Sequence, residues 1–221
     1  TEYAFKAKKS LVEQGEENIV LLTPEQYSFV AERRLLNDLG EGGIMSVNYS
    51  SFNRMADTVI KEYSKSNLPI LSKGAKTILM LRAIEQVKGD LKLFNKNLDA
   101  LSFVNSMIRI CDEMKSCNLK PCEIMSMSSG IENELLKQKM YDISVIMASY
   151  QRLIEDKYID SADEVTILYN LICDKNYFSD KYVFIDGFRG FVAQEYKILE
   201  LIIKESKGCV ITLCTDNPDN S

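Results

Sequence analysis

Residues 182–188 read YVFIDGF, and this segment decides how the whole chain is interpreted. Tyr182 to Ile185 forms a continuous apolar run with no polar alternation, which is typical of a strand buried on both faces of a parallel sheet. Asp186 falls where this strand should end, and in open α/β sheets ligands bind outside the carboxyl ends of the strands. The segment therefore predicts a central strand with a candidate ligand-binding carboxylate at its end. The alternative is a core strand followed by an ordinary Asp-Gly turn.

The composition is that of a globular protein. The 221 residues are 46% hydrophobic and 27% charged, with a net charge of −5, which argues against a generally basic nucleic-acid coat but allows a local basic groove. No apolar run approaches the roughly 20 residues needed to span a bilayer, and no signal peptide is recognisable, so we expect a cytoplasmic protein. Histidine is absent and the six cysteines form no C-x-x-C pair. This excludes the usual zinc sites and Ser-His-Asp or Cys-His catalysis, and predicts reduced, mostly buried thiols and no metal site.

Strand-like and helix-like segments alternate on both sides of a long helical block. Strands are predicted at 18–22, 44–49, 182–186 and 210–213. Helices are predicted at 3–14, from Pro24 through Leu36, and through about Tyr63 after an N-cap at Ser50 or Ser51. From about 73 to 173 the pattern is helical nearly throughout, with breaks near Gly89, 118–121 and 128–130. This order predicts an α/β domain interrupted by a helical insertion of roughly 100 residues.

Two helices, one inside the block and one after it, show apolar residues at helical spacing. The predicted buried faces consist of Ile78, Leu81, Ile84 and Val87 in the first, and Tyr196, Leu199 and Ile203 in the second.

A nucleotide site would need more than Asp186. In P-loop ATPases the Walker B aspartate at this position helps to hold magnesium, while a G-x-x-x-x-G-K-[ST] loop cradles the phosphates. The sequence contains no such loop. Because Thr1 opens an amphipathic helix that is followed by a strand, we expect it to be the last residue of that motif, with the first strand and the glycine loop lying before it. An arbitrary starting point is the alternative.

Three segments, in this order, carry a family resemblance: LTPEQYSF at 22–29, SFNRMA at 51–56 and IDGFRGFVAQE at 185–195. They resemble the N-terminal helicase-like region of the B subunit of the bacterial AddAB (RexAB) ATP-dependent helicase–nucleases, over essentially the whole chain. The resemblance implies a RecA-like parallel sheet, superfamily 1 helicase domain 1A without its first strand, interrupted by the all-helical domain 1B. The implied boundaries are 1–70 and 179–221 for domain 1A and 71–178 for the helical insertion.

The resemblance also implies a function. The family's complex is an ATP-dependent helicase and exodeoxyribonuclease that acts in DNA double-strand-break repair by recombination. Its motor is the A subunit, and its B subunit is the heterodimer partner that scans single-stranded DNA for a Chi sequence. ATP and Mg²⁺ are expected in the intact complex and none in this chain, where Thr1 and Asp186 would be vestigial nucleotide and magnesium positions. The family's iron–sulfur cysteines lie further along, so no catalytic residue or cluster ligand is expected here.

Gly187 weakens the case for a motor. An active superfamily 1 motor has Asp-Glu at its Walker B motif, and a glycine can neither accept a proton nor orient water. We therefore expect poor hydrolysis. Two other functions stay open: a P-loop ATPase whose catalytic glutamate is Glu195, and a protein-docking module that touches no DNA and holds the motor subunit.

The resemblance and the residue types together suggest a surface for single-stranded DNA. Its candidate residues are Thr23, Gln26, Ser28, Phe52, Arg54 and Phe188. Aromatic rings stack on bases, arginine pairs with a phosphate or a guanine edge, and the remaining side chains offer neutral donors and acceptors. All but Thr23 match positions in the family's Chi-reading surface, whereas Asp57 replaces an aromatic residue found in some relatives. As alternatives, the two phenylalanines could pack inside domain 1A and Arg54 could be a surface ion-pair partner.

Overall fold

The computed structural model describes residues 2–27, 33, 47–64, 68–94, 96 and 98–212, with side chains from residue 7 onward. Thr1 and Ser28 therefore lie outside the described residues. The helices and strands, in chain order, are α1 (Glu2–Glu13), β1 (Ile19–Leu22), β2 (Val47–Ser50), α2 (Phe52–Tyr63), α3 (Lys73–Val87), α4 (Leu101–Ser116), α5 (Pro121–Ser128), α6 (Glu134–Ile154), α7 (Glu164–Ile172), β3 (Tyr182–Ile185), α8 (Ala193–Glu205) and β4 (Gly208–Ile211).

The chain divides into two compact units. The sheet unit consists of residues 1–64 and 165–221, and the helical unit consists of residues 65–164. Whether these units correspond to the two helicase domains, with the predicted boundaries after 70 and 178, stays a prediction. No helix among the described residues is long and apolar enough to cross a membrane.

The described strands of the sheet unit form one parallel sheet in the order β2-β1-β3-β4. Ile19 lies opposite both Val47 and Tyr182, and Tyr182 lies opposite Gly208. All four residues of β1 are buried, as expected of a strand covered on both faces. The α/β class with a RecA-like parallel sheet and a helical insertion is thus confirmed. Because all strands run in the same direction, the residues after β1, β2 and β3 reach the same edge of the sheet.

Helix α2 begins where the sequence predicts it. The Ser51 hydroxyl accepts a hydrogen bond from the Arg54 amide at 3.2 Å, which is the expected N-cap. The helix buries one stripe of side chains: Phe52, Met55, Ala56, Val59 and Ile60. By contrast, the helix predicted from Pro24 onward is seen as a short 3₁₀ turn, Glu25–Tyr27, and most of its remainder lies outside the described residues.

Both predicted buried faces are partly wrong. Ile78 is 69% exposed and Leu81 is also exposed. Ile84 and Val87 are buried as predicted, together with Met80 and Ala83. Of the face predicted for α8, Tyr196 and Ile203 are exposed and Leu199 is buried, together with Ile198 and Ile202. The helical block itself and its breaks are confirmed.

The two ends of the helical unit are joined directly. Ile70 and Ile159 form a parallel β-bridge. The Leu71 amide donates to the Ile159 carbonyl at 2.8 Å, and the Ile159 amide donates to the Pro69 carbonyl at 3.0 Å. The residues that begin this unit are therefore paired with those that end it.

Beside this bridge lies a buried charge cluster centred on Asp160. Its carboxylate accepts bonds from Lys76 Nζ at 2.6 Å, Lys115 Nζ at 2.8 Å and the Tyr150 hydroxyl at 3.0 Å. Burial would raise the pKa of Asp160, but the two lysines outweigh it and lower that pKa to about 2. Lys76 also pairs with Asp112 at 2.6 Å and Lys115 with Asp163 at 2.7 Å, so each lysine has a second carboxylate partner.

Candidate nucleic-acid interface

A cleft of about 480 Å³ opens at the carboxyl edge of the sheet. It is lined by three segments, 23–27 after β1, 51–53 after β2 and 187–190 after β3, together with Glu195. These are the segments that carry the family resemblance, and the parallel strands bring them together because each strand delivers its end to the same edge.

The cleft gathers four of the predicted DNA-binding residues: Thr23, Gln26, Phe52 and Phe188. Arg54 does not line it. Arg54 lines a separate depression of about 280 Å³, next to Tyr49 and Lys181.

Phe52 and Phe188 are buried, with 3% and 7% of their surface exposed. Their rings meet edge to face with centroids 5.5 Å apart, and Phe191 packs on Phe188 at 5.0 Å. This burial favours the packing role that the sequence left as an alternative. Their contact with DNA stays a prediction.

Three exposed cleft residues were missed by the sequence reasoning. Tyr27 is 47% exposed, and Asn53 and Arg189 are also exposed. Each lies inside one of the segments that carry the resemblance, directly beside a chosen residue. The available signal was their position after a strand end, where side chains of adjacent strands converge.

Most of the polar side chains that line the cleft are uncharged. Among the described lining residues Arg189 is the one cation, and it is accompanied by Glu25 and Glu195. The other polar lining side chains are Thr23, Gln26, Tyr27, Ser51 and Asn53. Such groups suit hydrogen bonds to base edges better than they suit a row of phosphates.

Gly187 has a backbone that other residues rarely adopt. Its φ is +82°, in the left-handed region, and an added Cβ would lie 3.5 Å from Pro24 Cδ and 4.0 Å from Tyr27 Cγ. The space would admit a methyl group, so the backbone conformation, rather than crowding, makes glycine favourable here.

Asp186 is buried behind the cleft. Its amide donates to the Leu22 carbonyl at 3.0 Å, and its carboxylate accepts a hydrogen bond from the hydroxyl of Thr212, which follows β4. No group of three or more acidic or thiol side chains that could hold a metal ion is found in the described part of the chain. The residues present therefore do not form a complete magnesium site, and the vestigial role of Asp186 stays a prediction.

Glu195, the alternative catalytic glutamate, is engaged in capping α8. Its carboxylate accepts a bond from the Val192 amide at 2.9 Å. Burial raises the pKa of Glu195 above its ordinary value, while the Val192 amide opposes that rise. A carboxylate that closes a helix terminus is poorly placed to activate water as well.

The cysteines differ from expectation. The described cysteines Cys111, Cys117, Cys122, Cys173 and Cys209 are all free. Cys111 alone among them is buried, so the prediction of mostly buried thiols is wrong for this set; Cys214 lies outside the described residues.

Comparison with known proteins gives a consistent result. The family model described as "ADDB, N-terminal" matches residues 1–221. A relative from Clostridium novyi, named as the B subunit of an ATP-dependent helicase/deoxyribonuclease, is 35% identical over 209 residues, covering 95% of this chain and 18% of that protein. The proteins of the same name from Clostridium tetani and Clostridium kluyveri are 32% and 34% identical over 96% and 95% of this chain, and 19% and 18% of theirs.

The chain thus spans about a fifth of the length of the curated relatives it matches. The resemblance drawn from the three sequence segments is confirmed, since the match extends over the sheet unit and the helical unit alike. The chain belongs to the ADDB N-terminal family.

Proposed function

We propose that this chain is the part of a helicase/deoxyribonuclease B subunit that contacts single-stranded DNA and reads its bases. The observation that carries the proposal is the cleft at the carboxyl edge of the sheet, where neutral hydrogen-bonding groups surround the exposed ring of Tyr27. Relatives named as that component of the enzyme match 95% of this chain, which supports the assignment to that complex.

The neutral character of the cleft favours base reading over backbone binding. Phosphate contacts position a nucleic acid, whereas contacts to base edges specify its sequence. Gln26 and Asn53 each offer an amide donor and acceptor, the pair of groups that recognises base edges. Tyr27 offers a ring face on which a base can stack. Scanning for a Chi sequence requires this kind of surface.

We further propose that the region is not a motor. Gly187 lies in the left-handed region at the position where a motor needs glutamate, and Glu195 already caps α8. In this proposal ATP and Mg²⁺ act in the intact complex through the motor subunit, in the bacterial cytoplasm during double-strand-break repair. The intact B subunit, tested without its partner, would then show no DNA-stimulated ATP turnover.

A docking surface for the motor subunit is a second candidate function. It is favoured by Ile78, Leu101 and Leu135, three largely exposed apolar side chains of the helical unit. Changing all three to serine should abolish co-purification with the motor subunit if this candidate is correct.

The deciding experiment is fluorescence anisotropy of a labelled single-stranded oligonucleotide over a salt series. The wild-type chain is compared with Gln26→Ala and with Gln14→Ala, an exposed glutamine of the same unit that does not line the cleft. We expect Gln26→Ala to weaken binding about fivefold, from the loss of one or two hydrogen bonds, and Gln14→Ala to leave it unchanged. A folded wild-type chain that binds no DNA even at low salt would rule the proposal out.

A further inference from the structure

Tyr49 contacts two of the candidate DNA-binding residues, each on a different element. Its hydroxyl lies 2.5 Å from Thr23 Oγ1, at the end of β1. The Arg54 guanidinium, in the first turn of α2, lies over its ring, 5.8 Å from the centroid. Thr23 lines the cleft, while Tyr49 and Arg54 line the neighbouring depression. Tyr49 is therefore the physical link between the two.

The ring of Tyr49 is held firmly. It packs, partly buried, against a core that includes Ile19, Leu21 and Phe184. Tyr49 lies opposite Leu21 in the register of β2 and β1, so its position is fixed by the sheet itself. A side chain with an anchored ring and a polar tip can orient its neighbours at little entropic cost.

Arg54 depends on this ring for its orientation. Within the described residues Arg54 takes part in no ion pair, and the acid nearest on its helix, Asp57, pairs with Lys61 at 2.6 Å. The surface ion pair that the sequence left as an alternative for Arg54 is thus not seen in the described part, and in this proposal its charge binds a phosphate. The face of an aromatic ring attracts a guanidinium and restricts its rotamers.

Thr23 depends on the Tyr49 hydroxyl for its orientation. Its own side chain is nearly buried, and besides Tyr49 its hydroxyl reaches the Pro24 carbonyl only at a long 3.4 Å. The short contact with Tyr49 is therefore the main restraint on the Thr23 rotamer at the floor of the cleft.

We propose that Tyr49 is a positioning residue that couples Thr23 to Arg54. Through this coupling, the base contacts in the cleft and a phosphate contact beside it are held at a fixed spacing along the same DNA strand. The inference rests on the proposed DNA-binding function and adds to it a residue that touches no DNA. Its consequence is non-additivity: changes at Tyr49 act through Thr23 and Arg54 and lose their effect when those residues are removed.

The test uses double-mutant cycles on single-stranded DNA affinity. Tyr49→Phe keeps the ring over Arg54 and removes the hydroxyl, whereas Tyr49→Leu removes both. We expect Tyr49→Phe to weaken binding about threefold in the wild-type chain and not at all in a Thr23→Val background. Tyr49→Leu should weaken binding about tenfold in the wild-type chain, and about threefold in an Arg54→Ala background, where only the Thr23 contact remains to be lost.

The salt dependence of DNA affinity gives a second readout, which loss of packing alone would not change. Arg54→Ala should reduce the slope of log affinity against log salt by about 0.7, the value for one phosphate contact on a single strand. Tyr49→Leu should reduce that slope by part of this amount, and Tyr49→Phe should leave it unchanged. Arg54→Lys keeps the charge without the planar stack, so it should retain the slope. In an Arg54→Lys background, Tyr49→Leu should no longer change that slope.

The outcomes distinguish failure of the proposed function from failure of the positioning role. If the folded wild-type chain binds no single-stranded DNA, the proposed function and this inference are both overturned. If it binds, and Arg54→Ala weakens binding but the cycles are additive, the inference alone is overturned. Non-additive cycles with the predicted slopes establish the positioning role, and Tyr49→Phe keeps the test valid if Tyr49→Leu does not fold.

Discussion

Phe188 and Tyr27 line the same cleft, yet Phe188 is buried against Phe52 while the ring of Tyr27 is open to solvent. The two aromatic residues thus have different physical roles. One supports the end of β3 from within, and the other offers a face to a ligand.

We therefore predict that substitution of Phe188 mainly lowers stability and that substitution of Tyr27 mainly weakens DNA binding. Phe188→Ala should lower the free energy of unfolding by about 3 kcal/mol, since it leaves a cavity in the aromatic cluster. Tyr27→Ala should change stability by less than about 0.5 kcal/mol but weaken single-stranded DNA binding by about 1–3 kcal/mol, the usual contribution of base stacking. Urea unfolding and anisotropy measure the two quantities. A DNA-binding defect in Phe188→Leu as large as that of Tyr27→Ala would contradict this division.

Gly187 provides a test of the left-handed backbone that follows β3. Gly187→Ala should cost about 1–2 kcal/mol of stability, because alanine is disfavoured at a φ of +82°. Gly74→Ala in helix α3, where no atom lies within 4 Å of the added methyl group, is the matched control and should be neutral or stabilising. Thermal unfolding of both variants gives the comparison; equal effects would show that the left-handed backbone is not required. Gly187→Glu in the intact B subunit should restore no ATP turnover.

The cluster around Asp160 should make the free energy of unfolding depend on pH in the acid range. Asp160→Asn should cost about 3 kcal/mol near neutral pH, since it leaves Lys76 and Lys115 without their shared carboxylate. Because the pKa of Asp160 is lowered to about 2 in the folded protein, its contribution is fully present above about pH 4 and is lost as the pH falls toward 2. The stability gap between wild type and variant should close over that interval in urea unfolding.

Asp112 acts in the opposite sense within the same cluster. Burial raises its pKa, opposed by Lys76, so protonation of Asp112 favours the folded state as the pH falls. Because Asp160 itself contributes to this rise, wild type and Asp160→Asn are compared in an Asp112→Asn background. Asp99→Asn, an exposed carboxylate of the same unit, serves as the control and should shift stability by less than about 0.5 kcal/mol. A gap that stays constant down to about pH 2 would contradict the ion-pair account.

The cysteines should differ sharply in reactivity. Burial raises the pKa of the Cys111 thiol to about 12, whereas Cys117 and Cys122 are exposed. Thiolate is the reactive form, so an alkylating reagent should label Cys117 and Cys122 in the native protein and Cys111 only after unfolding. Mass spectrometry of the labelled peptides identifies each site. Rapid native labelling of Cys111 would show that the helical core opens far more often than its packing indicates.

The sequence predicted the sheet well because its signal is local. The apolar runs at 19–22 and 182–185 are short, β-rich and bounded by turn residues, so burial on both faces could be inferred without knowing the neighbours. The convergence of the three segments followed from the parallel order of the strands. Residue type likewise predicted a serine N-cap for α2 at Ser50 or Ser51, and the structure shows that it is Ser51.

The faces of the helices could not be read in the same way. Helix α3 carries apolar side chains almost all round, so periodicity could not distinguish exposed Ile78 from buried Met80. Packing against α6 decides which side is covered. For the same reason Phe52 and Phe188 looked like candidates for base stacking, since nothing local reveals that their rings pack against each other. The left-handed backbone at Gly187 also depends on tertiary context.

The bridge between Ile70 and Ile159 has a topological consequence. Hydrogen bonds fix the distance between the two segments around Ile70 and Ile159, however many residues lie between them. Lengthening or shortening the helices between these two segments leaves that distance unchanged.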